Sequence, residues 1–404
     1  MESSWGSCRE RRSASRQLEI IPAADAQRWE AILAEAADLD CYHLARYHLL
    51  AERRGEGKGI LMVYREGQRM AAWPFLLRPV ATVPGLEGFD GLYDASSVYG
   101  YPGPVGSPGA AHDEGFCRRF AASVQDAAQG LGLVSLFSRL NPFVDSLGLT
   151  RGLGTVRTVG ETVWVDLSAR PEEQWSAYRT NHQRDVAAAR QRGLAVHRDA
   201  GWQQLDDFVR LYRTTMQRVG ADSYYFFDKS YFLELREALG DRLQLFVARL
   251  GDAVPSAALA IHGGATVHYH LGGSDPGFRE LAAMKTVLDE MRLWGCSTGA
   301  RALHLGGGVG CRQDSLFRFK AGFSPLRRQY RVWSHIVQPE VYERLSRARR
   351  GWLARQGLAG EHAGFFPEYR AGPSGPSPAA QASEREQAPE PASTAQPMPA
   401  EVER

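Results

Sequence analysis

The chain has 404 residues, 44% hydrophobic and 23% charged, which is enough apolar material for one or two full cores and by length favours two domains. A formal net charge of only +2 removes any global demand for nucleic acid, a membrane surface or a strongly acidic substrate. The five cysteines, Cys8, Cys41, Cys117, Cys296 and Cys311, are odd in number and never form a Cys-x-x-Cys pair, which argues against a disulfide framework or a zinc site.

In chain order, residues 1–16 are polar and rich in Arg and Ser, with no apolar stretch of a secretion signal. No run of eighteen apolar residues occurs anywhere, so no transmembrane segment and a cytoplasmic location are expected. Helix-like patterns cover 25–37, 116–130, 206–219 and 280–294, and strand-like patterns cover 60–64, 72–77, 243–248 and 257–261. In the last helix Leu281, Met284, Val287, Leu288, Met291 and Trp294 recur at helical spacing, a stripe that must face a sheet. The alternation predicts an α/β protein. From Ala371 onward the chain is dominated by Pro, Ala, Ser, Glu and Gln, and 351–404 reads as a largely disordered tail.

The chain also repeats itself. Sliding residues 47–77 by 184 positions onto 231–261 aligns Tyr47 with Tyr231, Leu61 with Leu245, Val63 with Val247, Arg65 with Arg249 and Gly67 with Gly251 without a gap. Each copy reads as a helix, an aliphatic strand, a turn at Arg-x-Gly and a second strand. Shared turn glycines produce such matches by chance in some hairpins. Duplication is the stronger reading, with a first unit at 17–165 and a second at 166–350, each a mixed sheet flanked by helices.

From Tyr178-Arg179-Thr180-Asn181 the sequence runs through Arg184, Arg190, Arg192-Gly193, Tyr212, Thr214-Thr215-Met216, Arg218, Gly220 and Tyr224-Tyr225-Phe226. Farther on come Tyr269 to Ser274, the amphipathic helix, His304-Leu305-Gly306-Gly307-Gly308 and Phe319-Lys320. In this order the pieces resemble the FemAB-type and BioF2-like acetyltransferase domain of the GNAT superfamily, and the stretch from Asp94 to Pro104, with Tyr99-Gly100-Tyr101-Pro102-Gly103 within it, is similar to that family's aromatic and glycine motif. The resemblance covers about 40–335. It implies tandem GNAT-like domains that transfer an activated acyl group to an amine, with acyl-CoA or aminoacyl-tRNA as co-substrate and no tightly bound cofactor. The implied acceptor is a small-molecule or lipid-linked amine, with tRNA as a further partner and no DNA.

Acyl transfer to an amine passes through a tetrahedral oxyanion, which needs a fixed cation or hydrogen-bond donors where the charge develops. Lys320, matching the family's Phe-Lys motif, is the leading candidate, with Phe319 anchoring the segment. A plain surface lysine among Arg318, Arg327 and Arg328 is the competing reading. General-base candidates are His304, at a strand end, and Asp314; a satisfied strand-end histidine is an equally ordinary outcome. No Gly-x-Ser-x-Gly elbow is present, so no acyl-enzyme is expected. Gly306 and Gly307 offer backbone approach to a phosphate or carbonyl, or only a flexible turn. The comparable place of the GNAT pyrophosphate loop holds Arg279-Glu280-Leu281-Ala282-Ala283, without glycine, which speaks against ordinary acetyl-CoA binding. Arg184 and Arg218 suit acceptor phosphates or carboxylates, and Tyr99, Tyr101, Tyr224, Tyr225 and Phe226 suit the wall of a cleft between the halves, or else the core. His268 and His270 lie on one side of a strand but lack a third ligand, so no metal site is expected. A non-catalytic GNAT-fold protein that docks a precursor or RNA through the Arg179 to Arg192 helix is the alternative of a different class.

Overall fold

The computed structural model describes residues 16–358 and 365–372. The first half contains β1 (Arg16–Pro22), α1 (Ala26–Leu33), α2 (Ala45–Arg53), β2 (Lys58–Glu66), β3 (Arg69–Pro79), β4 (Tyr93–Ser96), β5 (Val105–Gly106), α3 (Glu114–Gly130), β6 (Leu133–Leu140) and β7 (Thr155–Asp166). The second contains α4 (Pro171–Ser176), α5 (Thr180–Gln191), β8 (Ala195–Arg198), α6 (Leu205–Arg218), α7 (Lys229–Leu239), β9 (Leu243–Leu250), β10 (Ala253–His262), β11 (Thr266–Ser274), α8 (Ala283–Ser297), β12 (Ala302–Gly306), α9 (Ser315–Lys320), β13 (Arg327–Ile336) and α10 (Pro339–Arg355).

The repeat found in the sequence is a repeat of structure. Helix α2 with the β2/β3 hairpin answers α7 with the β9/β10 hairpin at the same offset, and the matched turn glycines Gly67 and Gly251 have φ of +61° and +60°. Only a residue without Cβ enters that left-handed region freely. In both copies three antiparallel pairings lead to one parallel pairing, β1-β2-β3-β4-β6 against β8-β9-β10-β11-β12. The parallel pairs β4/β6 and β11/β12 are each joined by a crossover helix, α3 and α8.

The two sheets expected from the sequence are fused into a single 13-stranded sheet, because the final strand of each half crosses to the other. Strand β7 pairs with β12, β13 pairs with β6, and β7 and β13 pair with each other at the seam. Packing joins the halves as well. One core cluster mixes Tyr42, Tyr47, Leu50 and Val98 with Phe208, Tyr212, Phe232 and Leu259. The stripe of α8 lies on the opposite face, with Val287, Leu288 and Met291 fully buried.

Residues 351–358 and 365–372, expected as the start of the tail, are part of the packed structure. Helix α10 runs to Arg355, and Tyr369 is fully buried with its hydroxyl 2.8 Å from Ser135 Oγ. Tyrosine at that point supplies the apolar anchor that composition alone underweights. The rest of the expected tail and the polar N-terminus lie outside the described residues. Among the described residues, no helix is long and apolar enough to cross a membrane.

Candidate active site

Strands β11 and β12 pair only from Thr266–Ala302 to His268–His304; beyond that β11 continues to Ser274 bonded to β10 alone, so the parallel pair opens. A Lys320 side chain fills one side of this opening. Helix α9 is capped by Asp314, whose Oδ1 accepts from Phe317 N at 2.8 Å while Oδ2 accepts from Val309 N at 2.9 Å. Both oxygens of Asp314 are thereby spent on backbone donors, which makes it a cap that fixes the helix carrying Lys320. Phe319 is half-buried beside His182 and Phe323, and its carbonyl lies 2.9 Å from His182 Nε2.

Lys320 itself is only 7% exposed. Its ammonium donates to Gly307 O at 2.7 Å and lies 5.8 Å from the Tyr269 ring centre. A Cβ on Gly306, which has φ of +79°, would stand 3.3 Å from that ammonium, so glycine is what allows the lysine to reach the opening. Burial disfavours the charged form and brings the Lys320 pKa down to about 8, against the weaker upward pull of Asp314.

Helix α8 starts at the same opening. Its N-cap, Ala282, has φ of 49° and provides no side-chain cap, and its first turn holds no acidic residue. The backbone here makes a left-handed turn at an alanine, in a stretch without glycine. Uncapped N–H groups and a helix dipole favour an anion at that position. Lys285 in the first turn pairs with Asp185 at 2.7 Å, and Asp185 also receives Arg184 at 3.1 Å. Arg184 is therefore exposed near the α8 entrance, whereas Arg190 is bound to Asp289 at 2.8 Å and Arg218 is exposed at the last turn of α6.

The other side of the opening is built by the first half. The register across β11, β12 and β7 aligns His268, His304 and Trp164 in one row. Over this row lie Asp40, Tyr42, Tyr101, Asn141 and Phe143. Tyr101 and Phe143 each place a ring centre 5.2 Å from that of His304. Phe143, with Asn141, Arg328 and Arg331, also lines a cavity of about 260 Å³ at the seam. Asp40, Cys41 and His268 bring possible ligand atoms within 4.8 Å of one another, but each is engaged in a hydrogen bond inside the set, at 2.8 Å and 3.1 Å, so the trio is a bonded network rather than an open cage.

The expected aromatic residues do meet across the halves: Tyr99 packs against Tyr224 at 6.3 Å, Tyr225 at 6.0 Å and His270 at 5.7 Å. Phe226 is half-buried, and its neighbour Phe227 is the one stacked in the core on Tyr212 and Tyr231. Arg139 is half-buried in the same region, and its charge acts on Tyr99, Tyr101, Tyr330 and Glu56. Burial raises the Glu56 carboxyl above its ordinary range in spite of Arg54 and the Tyr224 hydroxyl at 3.4 Å. Sequence reasoning named Lys320, His304 and the tyrosines but not Asp40, Arg139, Asn141 or Glu56. Those four come from loops and strand ends of the first half that carry no local motif.

Residues 176–320 match the acetyltransferase (GNAT) domain family. No curated protein matches the sequence. Among solved structures the chain is similar to FemX, at 15% identity and a TM-score of 0.58, with 81% of this chain and 99% of that one covered. It is similar also to a conserved protein of unknown function from Bacteroides thetaiotaomicron VPI-5482, at 10% identity and a TM-score of 0.50, covering 79% and 99%. At such identities the likeness is one of fold.

Proposed function

We propose that the chain, whose residues 176–320 match the acetyltransferase (GNAT) domain family, is a FemAB-like acyltransferase that transfers an acyl or aminoacyl group, carried by acyl-CoA or aminoacyl-tRNA, to an amine of a cell-envelope, polysaccharide or natural-product precursor. The observation that carries this reading is the buried Lys320 ammonium, fixed at the open end of β11 and β12 by Gly307 O at 2.7 Å. A cation held in a water-poor site stabilises developing oxyanion charge far better than one in solvent, and it needs no reorganisation when the reaction occurs.

The donor lies along the opening, with its phosphates toward the uncapped start of α8 and Lys285, and its carbonyl toward Lys320. The acceptor enters from the tyrosine-lined side, where Tyr99, Tyr101, Tyr224 and Tyr225 form the wall and Arg139 supplies a fork for a phosphate or carboxylate. Holding the amine against the activated carbonyl supplies much of the acceleration by proximity, so no covalent intermediate is required. In this reading 17–165 and 166–350 are two units of one duplicated fold, the second carrying the donor site.

The test is mass-spectrometric detection of product from a panel of coenzyme A thioesters and charged tRNAs with amine acceptors, for the parent and Lys320→Met. Transfer by the parent and its collapse in the folded variant support the reading. Equal product from both would remove Lys320 from the chemistry.

A further inference from the structure

We propose that Asp40, His268 and His304 form a proton relay assembled jointly by the two halves, in which His304 Nε2 takes the proton lost by the acceptor amine and Asp40, acting through His268, holds the charge that results. The proposal rests on the acyl-transfer reading above. Asp40 Oδ2 is 2.8 Å from His268 Nε2, and His268 Nδ1 is 3.2 Å from His304 Nδ1. The three side chains are 3%, 1% and 2% exposed, so solvent does not substitute for any of these contacts.

The direction of each hydrogen bond follows from what Asp40 accepts. Its carboxylate receives Asn141 Nδ2 at 3.0 Å, Cys41 Sγ at 3.1 Å and His268. Burial alone would raise its pKa, but the pull of His268, His43 and the Cys41 thiol outweighs that and holds it at about 2. An ionised carboxylate only accepts, so His268 Nε2 carries a proton and donates. In the resting relay His268 is uncharged, and its bare Nδ1 accepts from His304 Nδ1–H. Neutral His304 is left with a lone pair on Nε2, and that atom is buried with no hydrogen-bond partner among the described residues. An unsatisfied buried acceptor is costly, and structures keep such groups where a ligand completes them.

The groups around His304 decide where a captured proton rests. His268 and Lys320 both act on it electrostatically, Asp40 acts from behind His268, and the Tyr101 and Phe143 rings pack against it. Burial, then His268 and Lys320, push the His304 pKa well down, so a cation on that ring is disfavoured. Moving the Nδ1 proton across to His268 shifts the charge one ring away from Lys320 and into contact with Asp40. In the transfer step the amine lone pair forms the new C–N bond, and the carbonyl π pair moves to oxygen. The amine proton goes to His304 Nε2, and His304 Nδ1–H passes to His268 Nδ1. Collapse returns the oxygen pair to the carbonyl and breaks the C–S or C–O bond; the leaving group keeps that pair and takes a proton from water, and the relay returns its own proton to water.

His304 is the catalytic group here, whereas His268 and Asp40 are positioning residues, and a structural hydrogen-bond chain between the halves is the rival reading. Full-length protein labelled with 15N-histidine distinguishes them by long-range proton–nitrogen NMR, with His304→Gln and His268→Gln used for assignment. The relay requires His304 protonated on Nδ1 and bare on Nε2, and His268 the reverse; a His304 protonated on Nε2 overturns it. In steady-state kinetics Asp40→Asn removes the charge that favours proton capture. The acid limb of kcat/KM then moves down by about one pH unit and kcat falls about tenfold or more, with the donor KM within about twofold. Loss of activity at every pH with an unchanged profile is the structural outcome and overturns the relay. A parent that acylates no amine sinks the transfer reading and the relay's role with it, whereas the wrong tautomer sinks the relay and leaves transfer standing.

Discussion

In the first half the crossover helix α3 begins on Asp113, whose carboxylate accepts from Phe116 N at 2.9 Å, pairs with Arg69 and is followed by Glu114. In the second half α8 begins on Ala282 with no side-chain cap, no acidic residue in the first turn and Lys285 within that turn. The strand openings beside these helices differ in the same sense. Beyond β4, residues 97–104 bridge the gap to β6, with Ser97 Oγ accepting from Arg139 N at 2.8 Å, Gly103 N donating to Arg139 O at 3.0 Å, and Val98 fully buried. Beyond β11 the gap is left to Lys320. Two copies of one architecture therefore differ at matching places: in the first the helix start is capped and the strand gap is bridged, and in the second the helix start is uncapped and the gap is left to Lys320. A carboxylate at a helix start stabilises the helix and repels an anion, whereas the proposed donor site at the start of α8 calls for the opposite.

The largest test of that contrast is Lys320→Met. Removing one preorganised cation from the open copy is expected to cut turnover on the order of a hundredfold or more, about 3 kcal/mol, while circular dichroism shows a retained fold. Unchanged turnover would end the assignment of the open copy as the reacting one.

Acid stability sharpens the comparison, because each copy holds a histidine that desolvation keeps neutral. Desolvation lowers His48 in the first half to about 4 and His270 in the second to about 3. Both folded values lie below the unfolded one of about 6.5, so their stabilisation is present above that pH and is lost as pH falls toward the folded values. Each should remove roughly 2 kcal/mol between pH 7 and pH 5, read by urea unfolding. His48→Gln or His270→Gln flattens this dependence by similar amounts, and a dependence untouched by both contradicts their neutral state.

A smaller effect is expected at the helix start. Lys285→Met should raise the donor KM roughly three- to tenfold with kcat little changed, since a first-turn cation adds modestly to phosphate binding. An altered kcat with constant KM would place the donor phosphates elsewhere. Smallest of all in activity is Asp113→Ala, which should cost about 1 kcal/mol of stability through the lost cap and leave transfer rates alone. A marked fall in transfer would show that the closed copy also holds a substrate.

Much of this architecture was legible in the sequence because periodicity and duplication are local signals. The α8 stripe, the two hairpins with Gly67 and Gly251, and the Phe319-Lys320 pair could all be read from spacing or from family likeness. Fusion of the sheets could not be read, since nothing near Thr155–Asp166 or Arg327–Ile336 states which edge either strand joins. Asp40 was hidden for the same reason: it meets His268 only because a loop of one copy folds over a strand of the other. Ala282 shows the converse: the absence of glycine there spoke against ordinary acetyl-CoA binding, and spacing alone did not reveal that the alanine itself takes the left-handed turn. Tyr369 lay inside a stretch whose composition averages to a tail, and one aromatic residue was enough to dock it.

The exchange of last strands has a consequence for synthesis on the ribosome. Strand β6 gains its outer neighbour only when β13 emerges, roughly two hundred residues later, and β7 waits for β12. At about 5–20 residues per second the nascent first half exposes an open β-edge for on the order of 10–40 s. An unpaired edge is a template for foreign strands, so this interval is when the chain is most open to aggregation or to chaperone capture. The same wiring means that a chain stopped before β13 leaves β6 without its outer partner, and two separately expressed fragments must trade strands before either is complete.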